Sequence, residues 1–267
     1  IGFFENRRRH LLMVPFRPDG AEVPEAVALT SGAYDVRAAD WAPDGRRLAV
    51  VINLAPDADY QRWTDVYLVP ADPPSPDARF ERVTGSDVRI TDVRFAPDGR
   101  RIAFTGNDLA YDFYSNHHLY VQELDGGPGA RVCLTEAHDL TVGNEVLHDV
   151  AGDAGPAFVW SADGAAIYAK VSRRGAVNLF RFDVGAVGQE GGKPAALARV
   201  PGAPHTPPAG VLALTEGPHV VHDFSLHEPS GRVALLKIDE LCPGDVWVGR
   251  LGQREVEDLI RLSRTNQ

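Results

Sequence analysis

Residues 41–50 read WAPDGRRLAV, and residues 95–104 read FAPDGRRIAF. The phrase returns as Trp160-Ser161-Ala162-Asp163-Gly164 and, decayed, as His227-Glu228-Pro229-Ser230-Gly231. Pro fixes φ, Asp hydrogen-bonds the local backbone and Gly accepts a positive φ, so each copy predicts a tight turn between two strands. An apolar, β-rich run follows each turn, at residues 48–52, 102–105, 167–171 and 233–237. After a variable loop comes a third run, at 66–69, 119–121, 179–182 and 246–248, and then a more polar fourth at 79–84, 131–135, 196–200 and 259–263.

Four strands per repeat is the blade of a β-propeller, so the expected fold is all-β, built of four-stranded antiparallel blades. The expected blades are residues 1–31 (incomplete), 32–85, 86–136, 137–202 and 203–267. Within the incomplete blade IGFF, HLLMV and EAVAL supply three strands, and the innermost strand with its turn is lacking. The first residue is Ile1 rather than Met. Together these lead to the expectation of a larger ring, seven- or eight-bladed, whose first blades are not in this chain. The run PGAPHTPPAG at 201–210 reads as a stiff bridge between blades.

Composition narrows the function. The 267 residues carry 37 acidic and 27 basic side chains, a net charge of −10, which argues against a nucleic-acid surface. No apolar run is long enough to span a bilayer and no export signal is evident, so the expected location is cytoplasmic. Arg7, Arg8 and Arg9 form a short basic run that reads as a solvated turn. Cys133 and Cys242 are the only cysteines, far apart, and read as free thiols.

The repeated hairpins resemble those of TolB-like propellers. Three further stretches are similar to the acylaminoacyl-peptidase branch of the prolyl oligopeptidase family. NRRRHLLMVPF (6–16) looks like the segment before that branch's later blades, and LTVGNEVLHDV (140–150) resembles its Ser-Val-Gly-Asp-x-Val-x-Ser-Asp segment, with Asn144 and His148 as departures. LIRLSRTNQ (259–267) resembles the end of its last blade. The resemblance implies a propeller that caps a separate α/β-hydrolase domain and admits short peptides; the implied partners are that domain and those peptides. No Gly-x-Ser-x-Gly occurs, and none of Ser31, Ser86, Ser115, Ser161, Ser225 or Ser230 has a nucleophile-elbow context, so no catalytic residue is carried over.

The long loops are where contact residues are expected: 31–37, 55–63, 106–117 and 137–149. They contain Tyr60, Asp108, Tyr111, Asp112, Tyr114, Glu145, His148 and Asp149, aromatic area with acceptors for an amine or a backbone N–H, read as substrate or domain contacts or else as solvated loop residues. No metal-ligand spacing is present, and neither metal nor cofactor is expected. Two rival readings stand beside the peptidase: a free-standing TolB-like scaffold that binds a protein, and a propeller enzyme with a site in its channel. The latter needs acids at matched positions in successive repeats, and only Asp40 and Asp223 recur there. An incomplete ring would expose an unpaired blade flank, from which self-association is expected.

Overall fold

The computed structural model describes residues 7–16, 18, 20, 25–71, 79–110, 114–127, 130–136, 138–146, 155–187 and 210–264. Nearly all regular structure among them is β. By density of internal contacts the chain divides into two compact units, Ile1–Ser115 with Val121–Arg131, and Asn116–Tyr120 with Val132–Gln267.

In the first unit β1 (Leu12–Met13) and β2 (Val27–Ala28) form a two-stranded sheet, and β3 (Ala38–Trp41), β4 (Arg47–Ile52), β5 (Asp65–Pro70) and β6 (Glu81–Arg82) form an antiparallel meander in chain order. The next meander is β7 (Arg89–Phe95), β8 (Arg101–Asn107), β9 (His118–Glu123) and β10 (Arg131–Cys133). In the second unit β11 (Thr141–Val142) and β12 (Phe158–Trp160) both pair with β13 (Ala166–Arg173), which pairs with β14 (Ala176–Asp183) and that with β15 (Val211–Ala213). A short helical turn, α1 (Val184–Val187), follows β14. The last meander is β16 (Val220–His227), β17 (Arg232–Asp239), β18 (Cys242–Leu251) and β19 (Val256–Arg261), joined to β14 through the parallel pair Val177 and Val220.

The repeated phrase forms the hairpins β3–β4, β7–β8 and β12–β13. In each, the Gly N–H donates to the carbonyl three residues back, at 2.9, 2.9 and 3.0 Å for Gly45, Gly99 and Gly164. The Asp carboxylate accepts the N–H two residues on, Arg46, Arg100 and Ala165, at 2.8–2.9 Å. Each Gly has φ between 66° and 69°, the left-handed region that the turn requires. In the decayed copy Gly231 keeps this conformation at φ 60° after a single 3-10 turn.

The strand after each of the first three turns is the most buried of its sheet. β4, β8 and β13 run almost continuously buried rather than alternating, because apolar side chains cover both faces. β17 alternates, with one face left open.

A second repeat closes every sheet. The hydroxyls of Thr30, Thr84, Thr135, Thr215 and Ser263 accept the N–H of Leu11, Val66, Leu119, Leu179 and Val246 at 2.9–3.1 Å. The residue just before each of those N–H groups bonds the same hydroxyl: His10, Asp65, His118, Asn178 and Asp245. The residue before each hydroxyl donates its own N–H to the third strand at 2.8–2.9 Å, Leu29 to Leu11 and so on through Leu262 to Val246. The same latch in all five places makes β1–β2 the counterpart of the third and fourth strands of the other meanders. It also corrects one strand assignment. Residues 196–200 lie outside the described residues, and the outer position beside β14 is held by β15, latched through Thr215. The Pro-rich run 201–210 therefore falls within the β14–β15 connection and not between two sheets.

Candidate functional surface

In the first unit the 55–63 loop is pinned from the N-terminal side. Arg8 donates to Asp59 in a fork at 2.7 and 2.6 Å and to Asp35 at 3.1 Å, and the Arg9 N–H adds 2.8 Å to Asp35. The guanidinium holds the Asp59 carboxyl below the usual carboxylate range. Tyr60, next in the chain, ends a 3-10 turn and is 90% exposed, its ring presented to solvent. Asp108 is exposed and accepts the Ala110 N–H at 2.9 Å, so part of its valence is spent on its own loop, where Leu109 adopts φ 59°. Tyr114 is 92% exposed.

In the second unit residues 138–146 form a ledge against β13. Thr141 donates to Asn116 at 2.6 Å, Ser172 donates to the Gly143 carbonyl at 2.9 Å, and the Glu145 N–H donates to Ser172 at 2.8 Å. Glu145 stands exposed, its carboxylate 3.9 Å from His117 Nδ1. Of the eight contact residues expected from sequence, Tyr111, Asp112, His148 and Asp149 lie outside the described residues. Tyr60, Asp108 and Tyr114 belong to the first unit and Glu145 to the second. None of these four exchanges a hydrogen bond with another among the described residues.

Sequence reasoning missed a cavity of about 460 Å³ in the second unit. Leu212, Leu214, Val256 and Leu259 form its apolar wall, and His219, Lys237 and Arg254 line the rest with the acids Glu216 and Glu255. Burial first, and Lys237 second, push the His219 imidazole down to about 4. The signal was present: Lys237 interrupts an apolar β-run, and a cation in that position needs a partner or a reason. Elsewhere in the unit the buried Lys170 has its reason, donating to the carbonyls of Gly155 and His222 at 2.9 and 3.0 Å. Among the described residues no group of three or more potential ligands gathers in metal-binding geometry, and no helix is long and apolar enough to cross a membrane.

Solved structures with the same fold are propellers. The β-propeller domain of the trilobed protease from Pyrococcus furiosus, which has an open velcro topology, matches with a TM-score of 0.53 at 16% identity, over 97% of this chain and 67% of that one. The acylaminoacyl peptidase of Pyrococcus horikoshii matches at 0.53 and 16%, over 93% of this chain and 30% of that one. TolB from Acinetobacter baumannii matches at 0.53 and 15%, over 92% and 48%. No protein-family profile and no curated protein matches the sequence. The fold is thus the β-propeller, of the kind seen in TolB and in the propeller domains of these peptidases. The chain spans about half of the TolB chain and less than a third of the acylaminoacyl peptidase.

Proposed function

We propose that this chain is the non-catalytic propeller portion of a serine peptidase of the acylaminoacyl-peptidase or oligopeptidase type, capping a separate α/β-hydrolase domain and restricting access to short peptides in the cytoplasm. The supporting observation is the 140–146 ledge. The stretch that resembles the peptidase branch in sequence is tied to β13 by Ser172 and to Asn116 by Thr141, and it carries Glu145 outward. In this reading the sheets are successive blades of a ring with further blades. Asp108, Asp112, Glu145 and Asp149 would add negative potential for a peptide's amino end, and Tyr60, Tyr111, Tyr114 and His148 would supply contact area.

The test uses the protein as it occurs in its cells. A serine-directed phosphonate should label it on a Gly-x-Ser-x-Gly serine, whereas the 267-residue chain alone should neither be labelled nor turn over an acyl-alanine anilide. In the labelled enzyme, Glu145→Gln with Asp149→Asn should raise KM several-fold for free-amine peptides and leave blocked ones unchanged. A full-length protein without a reactive serine points instead to a free-standing scaffold that binds a protein partner.

A further inference from the structure

Beside β17 the second unit holds a cavity for which the peptidase reading has no use. Lys237 lines it half-buried, with neither salt bridge nor hydrogen bond among the described residues; its ammonium lies 4.6 Å over the Trp247 ring. Burial lowers its pKa, against a smaller opposing pull from Asp239 on the same strand. Arg254, in the β18–β19 turn, is likewise without an ion pair among the described residues. His219 Nε2 is buried with no hydrogen-bond partner, and the ring, neutral above about pH 4, has one N–H to donate. Two cations and a neutral donor therefore line the cavity beside an apolar wall; of the two cations Lys237 is the half-buried one, Arg254 is exposed, and Glu216 and Glu255 are the acids of the lining. A half-buried ammonium without an anion is unfavourable, and a ligand carboxylate would supply that anion. Glu216 and Glu255 are exposed in the same lining, and they would repel a dianion such as inorganic phosphate more strongly than a monoanion.

We propose that this cavity binds a monocarboxylate carried on a short apolar chain, with Lys237 and Arg254 holding the carboxylate and Leu212, Leu214, Val256 and Leu259 enclosing the chain. The site stands independently of any hydrolase domain. Such a carboxylate comes either from a free alkanoic acid or from the C-terminus of a peptide with an apolar last residue.

Calorimetric titration of the chain with hexanoate and with N-acetyl-glycyl-leucine separates these sources. At least one should bind at one site per chain, and a preference of about tenfold assigns the source. Hexanol and hexylamine should bind at least about tenfold more weakly than hexanoate, and phosphate should not compete. Lys237→Met should weaken binding by about tenfold or more and Lys237→Arg by no more than about threefold. Arg254→Gln lies on an exposed turn outside the core, so it tests the site even if Lys237→Met fails to fold; it should weaken binding several-fold. Saturation should also raise the His219 pKa from about 4 toward its ordinary value, because an adjacent carboxylate favours the imidazolium. The proposal is overturned if neither acid binds saturably, or if Lys237→Met and Arg254→Gln bind as the unaltered chain does.

Discussion

Thr84 and Thr135 are completely buried, and each hydroxyl accepts a backbone N–H and bonds the side chain just before it. Replacing either by Val keeps the volume and leaves a buried donor unsatisfied, so Thr84→Val and Thr135→Val should each cost about 1–3 kcal/mol in urea unfolding, with Ser restoring most of it. The latch was half legible. The dipeptides Leu29-Thr30, Val83-Thr84, Leu134-Thr135, Leu214-Thr215 and Leu262-Ser263 stand in the sequence as a second repeat, less conspicuous than the Pro-Asp-Gly turn because two residues carry little periodicity. His219 makes a separate prediction. Its folded pKa lies near 4 and its unfolded one near 6.5, so between those pH values the unfolded chain binds the extra proton. Stability should fall as pH drops through that window, and His219→Gln should flatten the slope there. Below it a different group takes over. Ser161 and the Ala165 N–H hold the Asp163 carboxyl below 3.8, and its contribution disappears only as pH falls through that depressed value.

At the scale of elements, turn chemistry and strand burial carry most of the fold. Gly45 has φ 69° and nothing within 4 Å of an added Cβ, so Gly45→Ala should cost about 1 kcal/mol through backbone strain alone, and Gly45→Asn less, since Asn tolerates that region. A melting curve of the two variants checks the order. Gly155 is limited for the opposite reason: a Cβ there would lie 2.0 Å from the Asp223 carboxylate, so Gly155→Ala should lower the melting temperature through a clash. The outer strand beside β14 was misplaced because residues 196–200 and 211–215 both read as short apolar runs after a turn. The β14–β15 ladder and the latch from Thr215 to Leu179 decide between them. Loop residues were the least legible. Sequence puts Tyr60 and Glu145 on long loops, but Arg8 gripping Asp59 and Ser172 gripping the 143–145 backbone come from chain positions far away.

For the whole molecule, each unit presents an uncovered apolar face. In the last meander Leu236 pairs with Val246, and Ala234 with Val248, which pairs with Ile260. Ile260 and Leu262 are 62% and 65% exposed. In the first unit Leu12 in β1 and Val14 and Phe16 just beyond it are 64%, 47% and 90% exposed. Apolar sheet faces of this kind drive association. The chain should therefore give concentration-dependent light scattering, and Ile260→Lys with Leu262→Lys should reduce it while leaving the melting temperature nearly unchanged. Scattering that stays monomeric at high concentration in the unaltered chain would exclude these faces as sticky.

The latches also set an order for synthesis. Four of them join residues 16–19 apart in the chain, and the one at Thr215 joins residues 36 apart. As the chain leaves the ribosome, those four units can each fasten their third strand to their fourth within a short stretch of translation. Strand β14 alone must wait, already emerged with its outer partner β15 still unmade, while about twice as much chain is added. The closing penalty for the longer loop is small, about 0.6 kcal/mol per doubling, so the delay is one of time more than of energy. During that interval a chaperone or a neighbouring nascent chain has its opening, and substitutions within residues 188–209 would act on yield from the ribosome before they act on the finished protein.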